Sequence, residues 1–263
     1  MVRKNFNFQC LRLIFIAGAF LFSIVHANGA ENTNWLKGKT AVSLSYDDAL
    51  DSQLDNVIPA LNSFGFLASF YVVPTSNAFQ SRLEAWRSAA KHGHELGNHT
   101  LFHSCRASLD DREWVQPDRD LDTQSAKSVI EEVKLANILL QALDGRTQRT
   151  FAIPCGDLLA GGVNYVDQVK ADFLAIKGQG INSGFSTLHV ANGESGEKLV
   201  QLVREQTGKT ALINIIFHGV GADYLSVTND AHIKLLKYLD QNSDIYWVDT
   251  YFNIMKAKLI RDP

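Results

Sequence analysis

Two adjacent aspartates and two histidines in this 263-residue sequence have the residue types and the spacing of a metal site. His99 and His103, in the segment GHELGNHTLFHS, stand four positions apart, so that both imidazoles would share one side of a helical turn. Such a pair is common by chance, and a catalytic zinc site needs a third protein ligand beside its open position. Asp47 and Asp48 offer that carboxylate. The spacing therefore predicts a divalent ion held by Asp48, His99 and His103.

These ligands indicate hydrolytic chemistry. Mixed imidazole and carboxylate donors suit Zn²⁺, with Co²⁺ or Ni²⁺ as alternatives, and they disfavour Mg²⁺. A bound ion polarises a substrate carbonyl and lowers the pKa of its water. Asp47 would then accept a proton as general base, and His218, in the segment FHGVGAD, would protonate the leaving group. Two structural alternatives stay open here, because Asp47 and Asp48 could cap the next helix and His218 could be a core residue.

Short apolar segments alternate with helical patterns along the chain. An enrichment in β-branched and aromatic residues predicts strands at residues 40–46, 67–73, 149–153, 173–176, 212–217 and 245–248, with a further short strand at 95–97. Periodic apolar positions predict helices at residues 51–64, 79–92, 123–143 and 230–242. The alternation predicts an α/β fold with parallel strands and crossover helices. A (β/α) barrel is the leading architecture for this length, and an open doubly wound sheet is the alternative.

The candidate reactive residues all follow predicted strands. Asp47 and Asp48 follow the first strand, and His99 and His103 follow the segment at 95–97. Further along, the strand at 149–153 is followed by Pro154 and Cys155, and the strand at 212–217 by His218. Because the carboxyl ends of parallel strands form the catalytic face of such folds, we expect these side chains to converge there.

Residues 1–27 have the pattern of a secretory signal peptide. A basic head precedes a 13-residue apolar run at 13–25, and the small residue Ala27 closes a cleavage pattern. The run is shorter than the ~20 residues that a spanning helix needs, although an N-terminal membrane anchor is the alternative. We therefore expect an exported protein, periplasmic or extracellular. Its mature part, residues 28–263, would be a single catalytic domain with no stable membrane anchor.

Charge and cysteine content narrow the class of partner. Removal of residues 1–27 changes the formal net charge from −3 to −6, because that segment carries three basic residues and no acidic one. An acidic exported domain is a poor candidate for binding nucleic acid, which needs a basic face. Only Cys105 and Cys155 remain after cleavage. They could pair in an oxidising compartment or act as apolar core residues, and the sequence leaves both possibilities open.

Four motifs in this order resemble those of the NodB-type polysaccharide deacetylases, the carbohydrate esterases of family four. They are SYDDA at 45–49, HTLFH at 99–103, FAIPCG at 151–156 and IIFHG at 215–219, and the resemblance extends over residues 40–251. It implies a distorted (β/α) barrel that removes acetyl groups from N- or O-acetylated sugars with one metal ion. The implied roles are Asp47 as base, Asp48, His99 and His103 as ligands, and His218 as acid. The backbone N–H of Cys155, after Pro154, would help to hold the oxyanion.

The chain departs from the family pattern at several positions. Ala49 replaces the glycine of the first motif, Cys155 replaces an aromatic residue, and Ala152 stands where the family has an arginine that orients the base. The family's Asp/Trp motif has no clear counterpart, and Lys177 is the candidate for a substitute cation. Either Asp157 or Asp223 could orient His218.

The resemblance implies an exported, metal-dependent deacetylase whose partner is an acetylated carbohydrate, either a chitin-like oligosaccharide or a peptidoglycan glycan. An acetylxylan esterase with the same site is one alternative, since no residue distinguishes an amide from an ester. An inactive carbohydrate-binding relative is another, motivated by Ala152. The polar segment at 101–121 predicts a long loop beside the metal motif, in which Trp114 could stack on a sugar ring.

Overall fold

The computed structural model describes residues 36–178 and 184–261, which belong to one compact unit, Asn32–Pro263. The predicted signal peptide at residues 1–27 lies outside the described residues. Over the two described ranges, no helix combines the length and the apolar character that crossing a bilayer requires.

A central sheet of six parallel strands carries the fold. Its main path runs in the order β3-β2-β1-β7-β6, and β8 pairs with β1 beside β2. A separate antiparallel pair consists of β4 and β5. The strands of the described chain are β1 (Thr40–Asp47), β2 (Ser69–Val72), β3 (Glu95–Asn98), β4 (Leu159–Ala160), β5 (Val163–Asn164), β6 (Ser186–Val190), β7 (Leu212–Phe217) and β8 (Tyr246–Val248).

Strand β1 lies at the centre of the sheet, and all of its residues, polar and apolar, are buried, as expected for a parallel strand covered on both faces. On one side it pairs with β7 from Ala41 to Tyr46. On the other side β8 pairs with its first half and β2 with its second half, up to Asp47. The carboxyl end of β1 therefore lies in the middle of the sheet edge, with neighbouring strands on both sides.

Helices connect the strands and cover the sheet. Three of the longer helices begin at a Ser or Thr side chain that accepts an N–H of the first turn, at Ser125, Ser195 and Thr228. The helices are α1 (Ile58–Ser63), which follows a π-helical turn at Gln53–Val57, α2 (Asn77–Ser81), α3 (Leu83–Lys91), α4 (Ala126–Asp144), α5 (Val166–Val169), α6 (Gly196–Gln206), α7 (Asn229–Gln241) and α8 (Tyr251–Arg261).

The α/β fold predicted from the sequence is confirmed, and the barrel is distorted. Beyond β3 the sheet continues only through single-residue bridges, from Asn98 to Phe151 and from Phe151 to Ile176. The strands predicted at 149–153 and 173–176 are thus reduced to one bridged residue each. Pro154, which has no N–H to donate, follows closely after the bridge at Phe151. Within the described residues no ladder joins Ile176 to β6, so the ring is open there.

Sequence reasoning missed six of these helices and strands, namely the short elements β4, β5 and α5 and the longer elements β6, α6 and α8. Strand β6 has the sequence STLHV and is only partly buried, so it lacks the apolar run that marked the other strands. The helix predicted at 79–92 is divided at Arg82, whose φ of −128° is not helical. Its guanidinium binds Asp51 and Asp55, which ties this break to the segment after β1.

An aromatic stack crosses the sheet beneath its carboxyl edge. The ring of Tyr46 lies 5.1 Å from that of Phe70 and 5.4 Å from that of Phe217, so that three adjacent strands contact one another. The Tyr46 hydroxyl lies 2.6 Å from Nε2 of His232 on α7, so this buried hydroxyl has a partner. The stack places the ends of β1 and β7 at a fixed separation.

Two buried histidines should make the fold sensitive to acid. Burial lowers the pKa of His94 and of His232 from the usual 6.5 to about 4. Between these values the unfolded chain binds protons that the folded chain does not, so stability rises with pH from about 4 to 6.5 and is lost on acidification. Each group changes the free energy of unfolding by at most about 1.4 kcal/mol per pH unit in that window.

Urea unfolding at pH 6.5 and 4.5 should show this loss of stability at the lower pH, and the loss should be smaller in a His94→Gln variant. An equal loss in the variant would contradict this assignment.

Candidate active site

The chain turns sharply after β1 and directs both aspartates toward the sheet edge. The N–H of Asp48 still donates to the carbonyl of Tyr71 on β2, over 3.0 Å. Asp48 then adopts a φ of 80° and Ala49 a φ of 59°, in the left-handed region that favours glycine. Ala49 thus adopts a left-handed backbone conformation at the position where the polysaccharide deacetylases that this sequence resembles have glycine.

His99 and His103 are brought together by a compact turn and not by the helical turn that their spacing suggested. Thr100 and His103 have φ values of 61° and 55°, which no helix contains. The Asn98 side-chain oxygen accepts the N–H of Thr100 over 2.7 Å, and the Thr100 hydroxyl accepts that of His103 over 2.9 Å. The two imidazole rings lie edge to face with their centroids 4.9 Å apart.

The orientation of His99 is set through its other ring nitrogen. Its Nδ1 lies 2.8 Å from the carbonyl oxygen of Ala152, to which it can donate when protonated. That hydrogen bond leaves the lone pair of Nε2 directed at the aspartates, which is how metal-ligating histidines are commonly held. The family's arginine position, here Ala152, therefore still supports the site through its backbone.

The three predicted ligands converge on one point. The Asp48 Oδ1 atom lies 3.4 Å from Nε2 of His99 and 3.3 Å from Nε2 of His103. One ligand atom from each residue lies within 4.8 Å of the others. Two atoms that bind a tetrahedral zinc at about 2.0–2.1 Å would themselves be about 3.3–3.4 Å apart. Asp48 Oδ1 is also buried and has no hydrogen-bond partner among the residues that the structure describes, so the three residues fit a divalent ion.

Asp47 and His218 lie beside this cluster. The Asp47 Oδ2 atom is 3.9 Å from Nε2 of His99, and the buried Oδ1 of Asp47 has no hydrogen-bond partner in the described part of the structure. The His218 Nε2 atom is 3.9 Å from Oδ2 of Asp48. Buried Gln53, which sequence reasoning missed, donates to the carbonyls of Asp47 and His218 over 2.6 and 3.2 Å. One side chain therefore joins the ends of β1 and β7.

Neither aspartate suggested as the orienting partner of His218 contacts it. His218 Nδ1 is buried and has no hydrogen-bond partner in the described part of the chain. Asp157 instead accepts the backbone N–H of Arg106 over 2.8 Å, and Asp223 accepts that of Ser52 over 3.0 Å. Both carboxylates stabilise the loops around the site, because each binds a backbone donor of a distant segment.

Burial and charge shift the acid–base properties of the cluster when no ion is bound. Burial raises the pKa of Asp47, although the charges of His99 and His218 oppose this effect. Burial also opposes the ionisation of Asp48, but the neighbouring imidazoles of His99 and His103 bring its pKa well below the usual range. Burial lowers the pKa of His103 to about 4. Asp48 is therefore ionised and His103 neutral, which are the states that bind a cation.

Lys177 lies at the base of the site. Its Nζ donates to the hydroxyl of Ser45 and lies 5.4 and 5.6 Å from the ring centroids of Tyr71 and Tyr251. Burial lowers the pKa of Lys177 to about 8, although the negative charges of Asp47 and Glu95 act to raise it. Lys177, which the sequence suggested as a substitute cation, is therefore a buried amine close enough to Asp47 for their charges to interact.

A disulfide joins Cys105 to Cys155 and connects the long loop after β3 to the turn after Phe151. The two Cα atoms are 6.0 Å apart, across 50 residues of sequence. Cys155 has a φ of 58° and its carbonyl accepts a hydrogen bond of 3.3 Å from Arg112. The sulfur atoms also lie close to His103, but because they are bonded to each other they are not thiolate ligands.

A cleft of about 1420 Å³ is lined by Asp47, Asp48, His99, His103 and His218. The segment at 101–121 forms a loop with one short 3₁₀ turn, as the sequence predicted, and it supplies Trp114, which is 53% exposed. The Trp114 ring centroid lies 6.4 Å from that of His103 and 5.8 Å from the guanidinium of Arg112. Tyr224, also 53% exposed, lines the cleft and was missed by sequence reasoning. Its position within a loop gave no periodic signal.

Comparison with known proteins agrees with this geometry. The family description "Polysaccharide deacetylase" matches residues 36–173, just over half of the chain. A curated relative, a gellan lyase from Bacillus sp., is 25% identical over 258 residues. The match covers 89% of this chain but only 10% of that protein, so the chain spans about a tenth of its curated relative.

Solved structures share the fold at low identity. Peptidoglycan deacetylase PdaC from Bacillus subtilis superposes with a TM-score of 0.55 at 18% identity, covering 85% of this chain and 94% of that one. A CE4 family pseudoenzyme from Bacillus anthracis gives 0.54 at 15%, with coverages of 82% and 66%. The Xyl-CE4 domain of a xylanase from the hindgut metagenome of Trinervitermes trinervoides gives 0.52 at 16%, with coverages of 84% and 91%. Sequence match, fold and convergent motifs agree, and the chain belongs to the polysaccharide deacetylase family.

Proposed function

We propose that this protein is a metal-dependent hydrolase that removes acetyl groups from N-acetylated carbohydrate, a chitin-like oligosaccharide or a peptidoglycan glycan. The observation that carries the proposal is the convergence of Asp48, His99 and His103, in which Oδ1 of Asp48 lies 3.3–3.4 Å from Nε2 of each histidine. Beside these residues lie a second carboxylate, Asp47, and a further imidazole, His218. Among the described residues, neither Oδ1 of Asp47 nor Nδ1 of His218 has a hydrogen-bond partner. A binding site for sugar alone would not require this combination of groups.

Asp48, His99 and His103 would hold the ion, and their donor set favours Zn²⁺ with Co²⁺ or Ni²⁺ as alternatives. When bound, the ion supplies polarisation of the acetyl carbonyl and a water of lowered pKa. The chain provides the remaining groups. Polar atoms in such a cleft that have no protein partner ordinarily form hydrogen bonds with the substrate or with an ordered water.

Asp47 and His218 divide the proton transfers between them. Asp47 accepts a proton from the water whose oxygen attacks the acetyl carbon, and His218 in its protonated form donates one to the leaving nitrogen as the C–N bond breaks. The products are acetate and the free amine. The N–H of Cys155 donates to the carbonyl oxygen as it becomes negative, and the rigid turn at Pro154 keeps that donor in place.

Acetate release from N-acetylated chitooligosaccharide tests the proposal. We expect activity with added Zn²⁺, none after the metal is stripped, and recovery when Zn²⁺ is restored. Parallel assays on peptidoglycan and acetylxylan would identify the substrate, because an acetylxylan esterase would release acetate from the ester alone. Sugar binding without acetate release from any of these substrates would instead indicate an inactive relative, a real class within this fold, as the Bacillus anthracis pseudoenzyme illustrates.

We also propose that the protein is exported, with residues 1–27 removed as a signal peptide and residues 28–263 forming the mature domain. The Cys105–Cys155 disulfide supports this location, because disulfides persist mainly in oxidising compartments. N-terminal sequencing of protein from the periplasm or the culture medium should begin near residue 28. An intact N-terminus in a membrane fraction would favour an uncleaved anchor.

Lys177 is proposed to orient Asp47 in place of the arginine that the family has at Ala152. Its buried amine lies near Asp47 and is fixed by Ser45 and two tyrosine rings. We expect Lys177→Met to lower kcat by roughly 10–100-fold, as for other outer-shell partners, with KM and zinc content little changed. Lys177→Arg should recover part of the loss. Lys234→Met, which removes an exposed ammonium paired with Glu197, is the control, and unchanged turnover in Lys177→Met would eliminate this role.

A further inference from the structure

We propose that Tyr224 is a positioning residue for the metal site, holding the carboxylate of Asp48 so that Oδ1 alone faces the two histidines. The Tyr224 hydroxyl donates to Oδ2 of Asp48 over 2.8 Å. The inference rests on the proposed function, since it concerns a ligand of the proposed ion. Neither the family motifs in this sequence nor the ligand spacing pointed to Tyr224.

The two oxygens of Asp48 have different surroundings. Oδ1 lies 3.4 and 3.3 Å from the Nε2 atoms of His99 and His103 and has no hydrogen-bond partner in the described ranges of the chain. Oδ2 accepts the hydrogen bond of the phenol, and Nε2 of His218 lies 3.9 Å from it. The phenol therefore fixes rotation about the last bond of the Asp48 side chain. It also satisfies the oxygen that the ion would not use.

The loop that carries Tyr224 is built to hold it in place. Gly219 donates its N–H to the Tyr224 carbonyl over 3.1 Å, and the Val227 N–H returns to the Gly219 carbonyl over 3.2 Å. A Cβ atom at Gly219 would lie 2.1 Å from the Ala222 carbonyl oxygen, so the loop closes only with glycine there. The Asp223 carboxylate anchors the loop to the Ser52 N–H over 3.0 Å.

Tyr224 stands between two strained residues. Asp223 and Leu225 have φ values of 64° and 45°, a region that costs side-chain-bearing residues free energy unless their surroundings enforce it. These flanking conformations turn the phenol inward toward Asp48 while half of the side chain stays exposed at the cleft. The ring also lies 6.2 Å from that of His218, so it forms part of the wall between the acid and the solvent.

Loss of the hydroxyl should weaken metal binding without changing the shape of the cleft. In Tyr224→Phe the ring remains, but Oδ2 of Asp48 loses its donor and the carboxylate can rotate away from the histidines. Outer-shell partners of metal ligands are typically worth 10–100-fold in affinity. We therefore expect the Kd for Zn²⁺ to rise by about 10-fold or more.

Competition with a chromophoric zinc chelator measures this effect independently of catalysis. Wild type, Tyr224→Phe and Tyr238→Phe are compared, the last as a matched control because the Tyr238 hydroxyl forms a hydrogen bond with Tyr246 and Tyr238 does not line the cleft. Tyr238→Phe should keep the wild-type Kd. Equal affinities of wild type and Tyr224→Phe would overturn the inference and leave the proposed function intact. A wild type that binds no zinc would overturn both. Unfolding of the stripped proteins should be the same for wild type and Tyr224→Phe, which separates a local effect on Asp48 from a loss of folding.

Discussion

Replacement of Asp47 by asparagine is expected to lower kcat for acetate release by about 10²–10⁴-fold and to leave zinc affinity near that of wild type. The substitution keeps the size of the side chain but removes the group that accepts a proton. Within residues 36–178 and 184–261, the buried Asp47 Oδ1 has no hydrogen-bond partner, so it is available to a water, and Asp47 Oδ2 is 3.9 Å from Nε2 of His99, a proposed ligand. Acetate release at saturating substrate and zinc titration of the stripped protein measure the two effects.

Asp167→Asn is the matched control for the loss of one carboxylate. Asp167 is exposed on α5 and pairs with Lys170, outside the cleft. Its replacement should leave kcat unchanged. An Asp47→Asn variant that retains more than about a tenth of the wild-type kcat would contradict the role of general base, since base catalysis is worth at least 10²-fold in most enzymes.

Replacement of the next residue, Asp48, should have the complementary effect. Asp48→Asn is expected to weaken zinc binding by more than about 100-fold, beyond the loss typical of an outer-shell partner, and to abolish acetate release. Asp48 is the one anionic member of the set, and a single oxygen of it lies within 3.3–3.4 Å of both histidines. A neutral amide offers a weaker donor and introduces an N–H₂ group that cannot bind a cation.

The two variants together test a division of work between neighbouring residues. Zinc titration should separate them, with near-normal binding in Asp47→Asn and little binding in Asp48→Asn, while acetate release fails in both. The reversed pattern would exchange their roles. Comparable losses of affinity in both variants would mean that the two carboxylates share the ion.

The fold alone does not establish activity in this family. The peptidoglycan deacetylase PdaC and a CE4 family pseudoenzyme superpose on this chain with nearly equal TM-scores, 0.55 and 0.54. Whether the protein is active must therefore be argued from the residues of its site. Here the proposed ligands, base and acid converge, and a buried amine, Lys177, whose charge acts on Asp47, accompanies the departure at Ala152. This combination supports the proposal of an active enzyme in which Lys177 replaces the arginine as the support of the base.

The sequence by itself determined which residues would lie at the carboxyl ends of strands. Local patterns located β1, β2, β7 and β8, and the motif residues follow the ends of strands in the observed structure. Because parallel strands end at one edge, Asp48, His99 and His103 could be expected to meet before any coordinates were known. Two expectations were wrong. The histidine pair lies on a turn with left-handed residues and not on a helical turn, and Asp157 and Asp223 bind backbone N–H groups of other segments instead of His218.

Only the tertiary structure decided which distant loops touch. Tyr224 contacts Asp48 across 176 residues, Gln53 contacts the carbonyl of His218 across 165, and Cys105 bonds to Cys155 across 50. Hydrophobic periodicity reports on neighbours a few residues apart, and it carries no information on how a loop with left-handed residues will direct one side chain. Those contacts arise from the order of strands in the sheet and the closure of each turn, which are properties of the folded chain as a whole.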